Sequence, residues 1–166
     1  MIPIGGRAPD FELPGLDDHR HRLASQRGRV TVLHIWSARC PWTQRTDERV
    51  VEAARAAGAD LWSVAVNADE DIDLIRRVAA ERRLPLVLLD ADRRVADSYG
   101  AAATPHVFVI DQDGILRYQG APDDARFRDP EPRRHYLAEA LQAVLRGEAP
   151  DPATTPTYGC AIVRGF

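Results

Sequence analysis

The segment Val30 to Trp36 (VTVLHIW) is a continuous apolar, β-branched run, the pattern of a strand covered on both faces. A chain holding such a strand must build a layer on each side of it. The run stops at Ser37-Ala38-Arg39-Cys40, and Pro41 suits the first position of a helix, where its missing N–H costs nothing. Val50, Val51, Ala54 and Ala57 then fall on one helical stripe that Gly58 can close with a left-handed cap. A second buried strand, Leu61 to Val66, follows at once. Strand, long crossover helix and strand make a right-handed βαβ unit with parallel strands.

Further along, a helix from about Asp71 to Arg83 turns Ile72, Ile75, Val78 and Ala79 inward. Leu84 to Leu89 reads as a short edge strand, because Pro85 cannot donate to a ladder. Val95 to Tyr99 reads as a short helix closed by Gly100. Val107 to Ile110, a turn at Asp111 to Gly114, and Ile115 to Tyr118 form a hairpin that adds antiparallel strands. A last helix is expected from about Arg133 to Arg146, followed by a proline-rich stretch and an extended tail, Tyr158 to Val163. The organisation is one α/β domain over residues 1–150, a central mixed sheet flanked by helices, with residues 151–166 as a tail packed on it.

All 22 basic Lys+Arg residues are arginines, which excludes a Schiff base, a lysine general base and a P-loop lysine. The formal net charge of −3 gives no electrostatic surplus for nucleic acid or an anionic membrane, and neither is expected as a partner. No run approaches the roughly 18 to 20 apolar residues of a membrane span, and the first residues lack a signal-peptide core. A cytoplasmic location is therefore expected, where thiols rest reduced and a disulfide is transient. Cys40 and Cys160 carry the remaining reactive chemistry.

Cys40 falls between a buried strand and the first turn of a helix, where unpaired N–H groups and the helix macrodipole stabilise a thiolate. Arg39 adds a neighbouring positive charge. A small buried hydrophobe is the alternative role for such a cysteine.

Trp36 to Thr43 (WSARCPWT) resembles the active-site turn of the thioredoxin superfamily, and Ala103 to Asp111 (ATPHVFVID) resembles its cis-proline loop and following strand. Gly6 to Leu13 (GRAPDFEL) is similar to the start of the alkyl hydroperoxide reductase and thiol-specific antioxidant branch. Leu116 to Gly120, Asp123-Asp124 and Thr157 to Ile162 resemble a peroxiredoxin-like subgroup of redoxins with a Gly-Cys-X-Ile tail. The resemblance, from about residue 6 to 163, implies a thioredoxin-like fold with an N-terminal extension and a C-terminal tail. It also implies thiol-dependent oxidoreductase activity through Cys40, with no organic cofactor or metal.

Three positions depart from the pattern. Thr43 stands where a dithiol reductase has its second cysteine, Ser37 where tail-bearing relatives often have another, and Leu33 where the peroxiredoxin motif has proline. The resemblance then implies a one-cysteine site that reduces peroxide through a sulfenic acid at Cys40, with Ser37 and Thr43 orienting peroxide and thiolate. Cys160 or an external thiol would resolve that acid. One alternative is monothiol exchange, in which Cys40 forms mixed disulfides with a small thiol or a protein and the Thr104-Pro105 loop pairs with the bound chain. Another is an inactive binding module of redoxin fold. Cys160 either resolves Cys40 from a mobile tail or packs as an inert extended segment against the sheet.

Other residues are weighed on their surroundings. His34 reads as a hydrogen-bonded core histidine, and His19 with His21 lacks the further ligands of a zinc site. His106 follows Pro105 and is placed to tune Cys40, while Trp42, on the face after Pro41, is placed to shield the thiol or to pack against a partner. The pairs Arg76-Arg77, Arg82-Arg83 and Arg93-Arg94 read as a solvated face.

Overall fold

A computed structural model describes residues 1–165; Phe166, the last residue of the expected tail, lies outside the described residues. At its centre is β3 (Thr31–Trp36), buried at every position. It pairs in parallel with β4 (Asp60–Ala65), with Leu33 opposite Trp62, and antiparallel with β7 (His106–Ile110). β5 (Val87–Leu89) joins β4 in parallel, and β8 (Leu116–Gly120) closes the other side antiparallel to β7. The five-stranded order is β5-β4-β3-β7-β8.

Two crossovers in the same direction across the sheet, each right-handed, put both helices on one face. These are α1 (Pro41–Ala56) and α2 (Ile72–Glu81), and α4 (Tyr136–Leu145) shares that face. There Val50 and Ala54 of α1 and Leu137 and Leu141 of α4 pack on Val32, Leu61, Val107 and Val109. Ile75, Val78 and Ala79 of α2 pack on Trp36, Ala65 and Val87. The opposite face, with Leu33, Ile35, Val64 and Phe108, is covered by α3 (Arg94–Ser98) and by the N-terminal segment through Ile2, Leu13 and Leu23. Each such fully buried aliphatic or aromatic side chain contributes roughly 1.5–3 kcal/mol of transfer free energy. The result is the thioredoxin-like α/β architecture that the motifs implied.

Several boundaries differ from the sequence expectation. The last helix begins at Tyr136 rather than near Arg133, because Asp124 Oδ1 accepts the N–H groups of Arg133 (2.8 Å) and Arg134 (3.0 Å) and holds them out of the helix. The edge strand begins after Pro85, at Val87. The N-terminal extension contains a hairpin that the sequence did not announce, β1 (Glu12–Pro14) with β2 (Arg20–Arg22), and then a 3-10 turn at Leu23–Gln26. Its strands are three residues long and too short to show a period.

The tail lies along the domain surface. Gln119 N–H donates to the Ala153 carbonyl and the Gln119 carbonyl accepts from Thr155 N–H, and the buried Thr155 hydroxyl accepts from Ala121 N–H at 3.0 Å. Farther on, β9 (Cys160–Ala161) pairs antiparallel with β6 (Ala103–Thr104). Among the described residues no helix is long and apolar enough to cross a membrane.

Candidate active site

Cys40 is the N-cap of α1, and Pro41 starts the helix. The turn before it is held by the buried carboxylate of Glu70, in the loop after β4. Glu70 accepts the Ala38 N–H at 3.0 Å, the Arg39 N–H at 3.0 Å and the Ser37 hydroxyl at 2.5 Å. Ser37 Oγ in turn accepts the Cys40 N–H at 3.2 Å and the Asn67 amide at 3.0 Å. The Ser37 hydroxyl proton is thus directed to Glu70, not to a peroxide or to the Cys40 sulfur. Thr43 is also turned inward, its hydroxyl 2.6 Å from the Ser37 carbonyl and 2.8 Å from the Cys40 carbonyl. It reaches the thiolate through its backbone N–H instead.

A second brace comes from an arginine that the sequence assigned to a solvated face. Arg82, just past α2, is buried except for 15% of its side chain and donates to the Ala38 carbonyl (2.8 Å), the Asp47 carboxylate (2.9 Å) and Thr43 Oγ1 (3.2 Å). Its guanidinium lies 5.8 Å from the Trp36 ring centroid, and the Trp36 indole N–H donates to the same Asp47 oxygen at 2.9 Å. Arg39, expected to neighbour the thiolate, is exposed and contributes its backbone N–H. His34 is fully buried, with Nδ1 3.2 Å from Ser63 Oγ and Nε2 3.9 Å from Asp47 Oδ1. Burial holds it below the ordinary histidine range, so it stays neutral.

Cys40 is 3% exposed. Its Sγ lies 3.3 Å from the Thr104 carbonyl oxygen and 2.6 Å from Cys160 Sγ, about half an ångström beyond the ~2.05 Å of a disulfide bond. Burial alone would push the Cys40 thiol up, but hydrogen bonding from Cys160 and from the N–H groups of Thr43 and Trp42 outweighs it, and the thiol sits below its usual value. Cys160 goes the other way, pushed up to about 11 by burial and by its hydrogen bond to Cys40.

Register brings them together. Thr104 stands opposite Cys160 across the β6–β9 ladder, and the Thr104–Pro105 bond is cis. The two sequence alternatives for Cys160 are both incomplete: the tail is packed, yet the packing delivers the thiol to Cys40. Trp42 meets Tyr158 of the tail edge-on, ring centroids 4.8 Å apart. His106, expected to tune Cys40, instead stacks on Phe108 with ring centroids 4.3 Å apart, and burial pushes it down to about 4, so it offers Cys40 no positive charge. His21 pairs with Asp17 at 2.9 Å, and no group of three or more metal-ligating side chains occurs among the described residues.

In sequence no motif marks Glu70 or Asp47 for this role, and Arg82 reads as part of a solvated face. For Glu70 a signal existed, since the loop after the second parallel strand emerges at the same sheet edge as the Cys40 turn. Arg82 is indistinguishable in sequence from its solvated neighbours.

The profile of the AhpC/TSA family matches residues 4–119, more than half of the chain. The thiol-disulfide oxidoreductase ResA of Geobacillus kaustophilus (strain HTA426) is 28% identical over 120 residues, covering 70% of this chain and 68% of that protein. The crystal structure of a hypothetical protein from Sinorhizobium meliloti 1021 superimposes with a TM-score of 0.87 at 27% identity, over 100% of this chain and 96% of that one. A thioredoxin domain of a thiol-disulfide oxidoreductase from Bacteroides vulgatus, 20% identical, shares the fold with a TM-score of 0.62 over 70% of this chain and 86% of that one. Cys160 lies beyond the residues that the family profile matches.

Proposed function

This chain belongs to the AhpC/TSA family, and on that premise we propose that it is a thiol-disulfide oxidoreductase whose redox pair is Cys40 and Cys160. The observation that carries this is the 2.6 Å separation of the two sulfurs, set by strand register across 120 residues of chain. In the reducing direction the Cys40 thiolate attacks one sulfur of a partner disulfide. The partner's S–S bond breaks and its second sulfur leaves as a thiolate. Cys160, after losing its proton, attacks the Cys40 sulfur of the mixed disulfide, forms the Cys40–Cys160 bond and releases the partner's remaining thiol. The partner gains two electrons and the pair loses two. An external thiol reductant returns the pair to its starting state.

A resolving cysteine on the tail replaces the one that Thr43 cannot supply, so the chain need not act as a monothiol protein. Peroxide reduction has less support, because Ser37 donates to Glu70 and is not turned toward the sulfur. Oxidation of the full chain with a small disulfide, followed by non-reducing peptide mapping, tests the proposal. A single intramolecular Cys40–Cys160 bond, with disulfide reduction lost in Cys40→Ser and stalled at a mixed disulfide in Cys160→Ser, is expected. Absence of that bond, or wild-type turnover by Cys160→Ser, overturns it. Hydrogen peroxide in the same assay decides the peroxidase alternative: a rate no faster than that of free cysteine excludes it.

A further inference from the structure

The tail occupies the strand edge on which a partner chain would have to lie. Thr104 opposite Cys160 and Ala103 opposite Ala161 fill the β6 ladder, and Ile162 N–H continues it to the Ala102 carbonyl at 3.3 Å. Side chains on either side of the cysteine have defined seats. Two residues before it, the Tyr158 ring meets Trp42. Directly before it, Gly159 passes so close to the Thr104 carbonyl that a Cβ there would collide with the oxygen. Ala161, directly after, is exposed. Ile162 is buried, packing into the same core as Ile2 and Ala101.

We propose that residues 158–162 are a resident copy of what Cys40 recognises: an extended protein segment reading aromatic, glycine, cysteine, any residue, aliphatic, which docks on β6 by lifting the tail. The inference rests on Cys40 being the exchange nucleophile and adds what that nucleophile selects. A chain pairing antiparallel to β6 with its cysteine opposite Thr104 brings its sulfur to the place Cys160 now holds. Backbone pairing gives it affinity, and the Trp42 face, the tight passage at Thr104 and the Ile162 seat give it sequence preference. The tail competes as a tethered strand, at an effective concentration on the order of mM. Its ladder is two residues long, short enough to exchange. After Cys40 has bonded to the partner, the partner strand peels from β6, the returning tail pairs there again, and Cys160 attacks the Cys40 sulfur on the side opposite the partner sulfur, which leaves as a thiolate. Partner strand and tail pair with β6 in turn.

The test uses the full chain with Cys160→Ser, leaving one thiol, and synthetic peptides whose cysteine carries a thionitrobenzoate. Attack by Cys40 on the peptide sulfur forms the mixed disulfide and releases the coloured thionitrobenzoate anion. Tyr-Gly-Cys-Ala-Ile is compared with peptides carrying Ala for Gly and Asp for Ile. The matched peptide is expected to react at least about tenfold faster than either, the ratio given by ~1.4 kcal/mol. Adding Ile162→Asp, or Tyr158→Ala should the first variant fold poorly, loosens the tail and raises the rate for the matched peptide. Rates within about twofold across the peptides, in the loosened chain, overturn the proposal while leaving Cys40 a nucleophile. Failure of the loosened chain to react with any of the peptides or with a small aromatic disulfide removes the nucleophile itself, and both proposals fall.

Discussion

Cys160 stands opposite Thr104 in an antiparallel ladder of two residue pairs, and this pairing sets its sulfur 2.6 Å from that of Cys40. The approach depends on Gly159, which has no Cβ to strike the Thr104 carbonyl. Gly159→Ala is expected to push the tail off β6 and slow Cys40–Cys160 disulfide formation by about tenfold or more. That factor corresponds to ~1.4 kcal/mol of lost pairing. Global stability should change little, since the five-stranded sheet is untouched. Timed acid quenching and non-reducing mapping measure the rate, and an unchanged rate refutes the role of the ladder.

The same contact governs the Cys40 titration. Burial pushes the Cys40 thiol up, and the hydrogen bond from Cys160 is foremost among the contributions that bring it down. Cys160→Ala removes that donor, so the Cys40 pKa should rise. Thiolate absorbance near 240 nm, followed against pH, reports the shift directly. The wild type should show a second thiolate only toward about 11, the Cys160 value, and the variant none. A Cys40 pKa that stays put or falls in the variant contradicts this account.

Arg82 is expected to matter for stability out of proportion to its place past the end of a surface helix. Arg82→Met leaves the Asp47 carboxylate, 1% exposed, without its ion-pair partner. Breaking a buried pair from one side costs about 3–5 kcal/mol. Arg82→Lys should fall between, since one ammonium lacks the planar fork that reaches Ala38, Asp47 and Thr43 together. Urea midpoints of the reduced proteins, with an unchanged slope, give the values; a loss under about 1 kcal/mol for Arg82→Met would show that the brace is dispensable.

Acid should weaken the fold through His106. Its folded value is pushed down to about 4 by burial, against an unfolded value near 6.5. Between these values the unfolded chain binds the extra proton, so stability is full above about pH 6.5 and is lost as pH falls toward 4. The whole step is worth about 3 kcal/mol. His34, also held low by burial, adds a loss of the same sign. In His106→Phe, which keeps an aromatic ring against Phe108, the loss between pH 7 and 4.5 should shrink by about 2 kcal/mol, with the His34 part remaining. Equal acid sensitivity in variant and wild type, by urea titration at the two pH values, would remove His106 as the cause.

The central βαβ unit was legible in the sequence because local chemistry suffices to specify it. Val30 to Trp36 has a strand pattern wherever it occurs, Pro41 opens a helix, and Gly58, in the left-handed region at φ +64°, closes its end. Cys40 was legible for the same reason: a strand-to-helix turn places a thiol at a helix N-terminus regardless of what packs around it. The N-terminal hairpin was not, since its strands take their pairing from neighbours and not from an internal period.

By itself, the sequence determined the layered α/β fold, the cysteine at the strand-to-helix turn and, through the absence of lysine, the chemistries that are missing. Tertiary structure alone decided which groups attend the thiol. Glu70 rather than solvent took the Ser37 hydroxyl, Arg82 rather than Arg39 reached the turn, and Cys160 rather than residue 43 became the second sulfur. The physical reason is range. Helix and strand propensities act over a few residues, whereas a carboxylate 33 positions from Ser37, a guanidinium 44 from Ala38 and a thiol 120 from Cys40 are positioned by strand order and register.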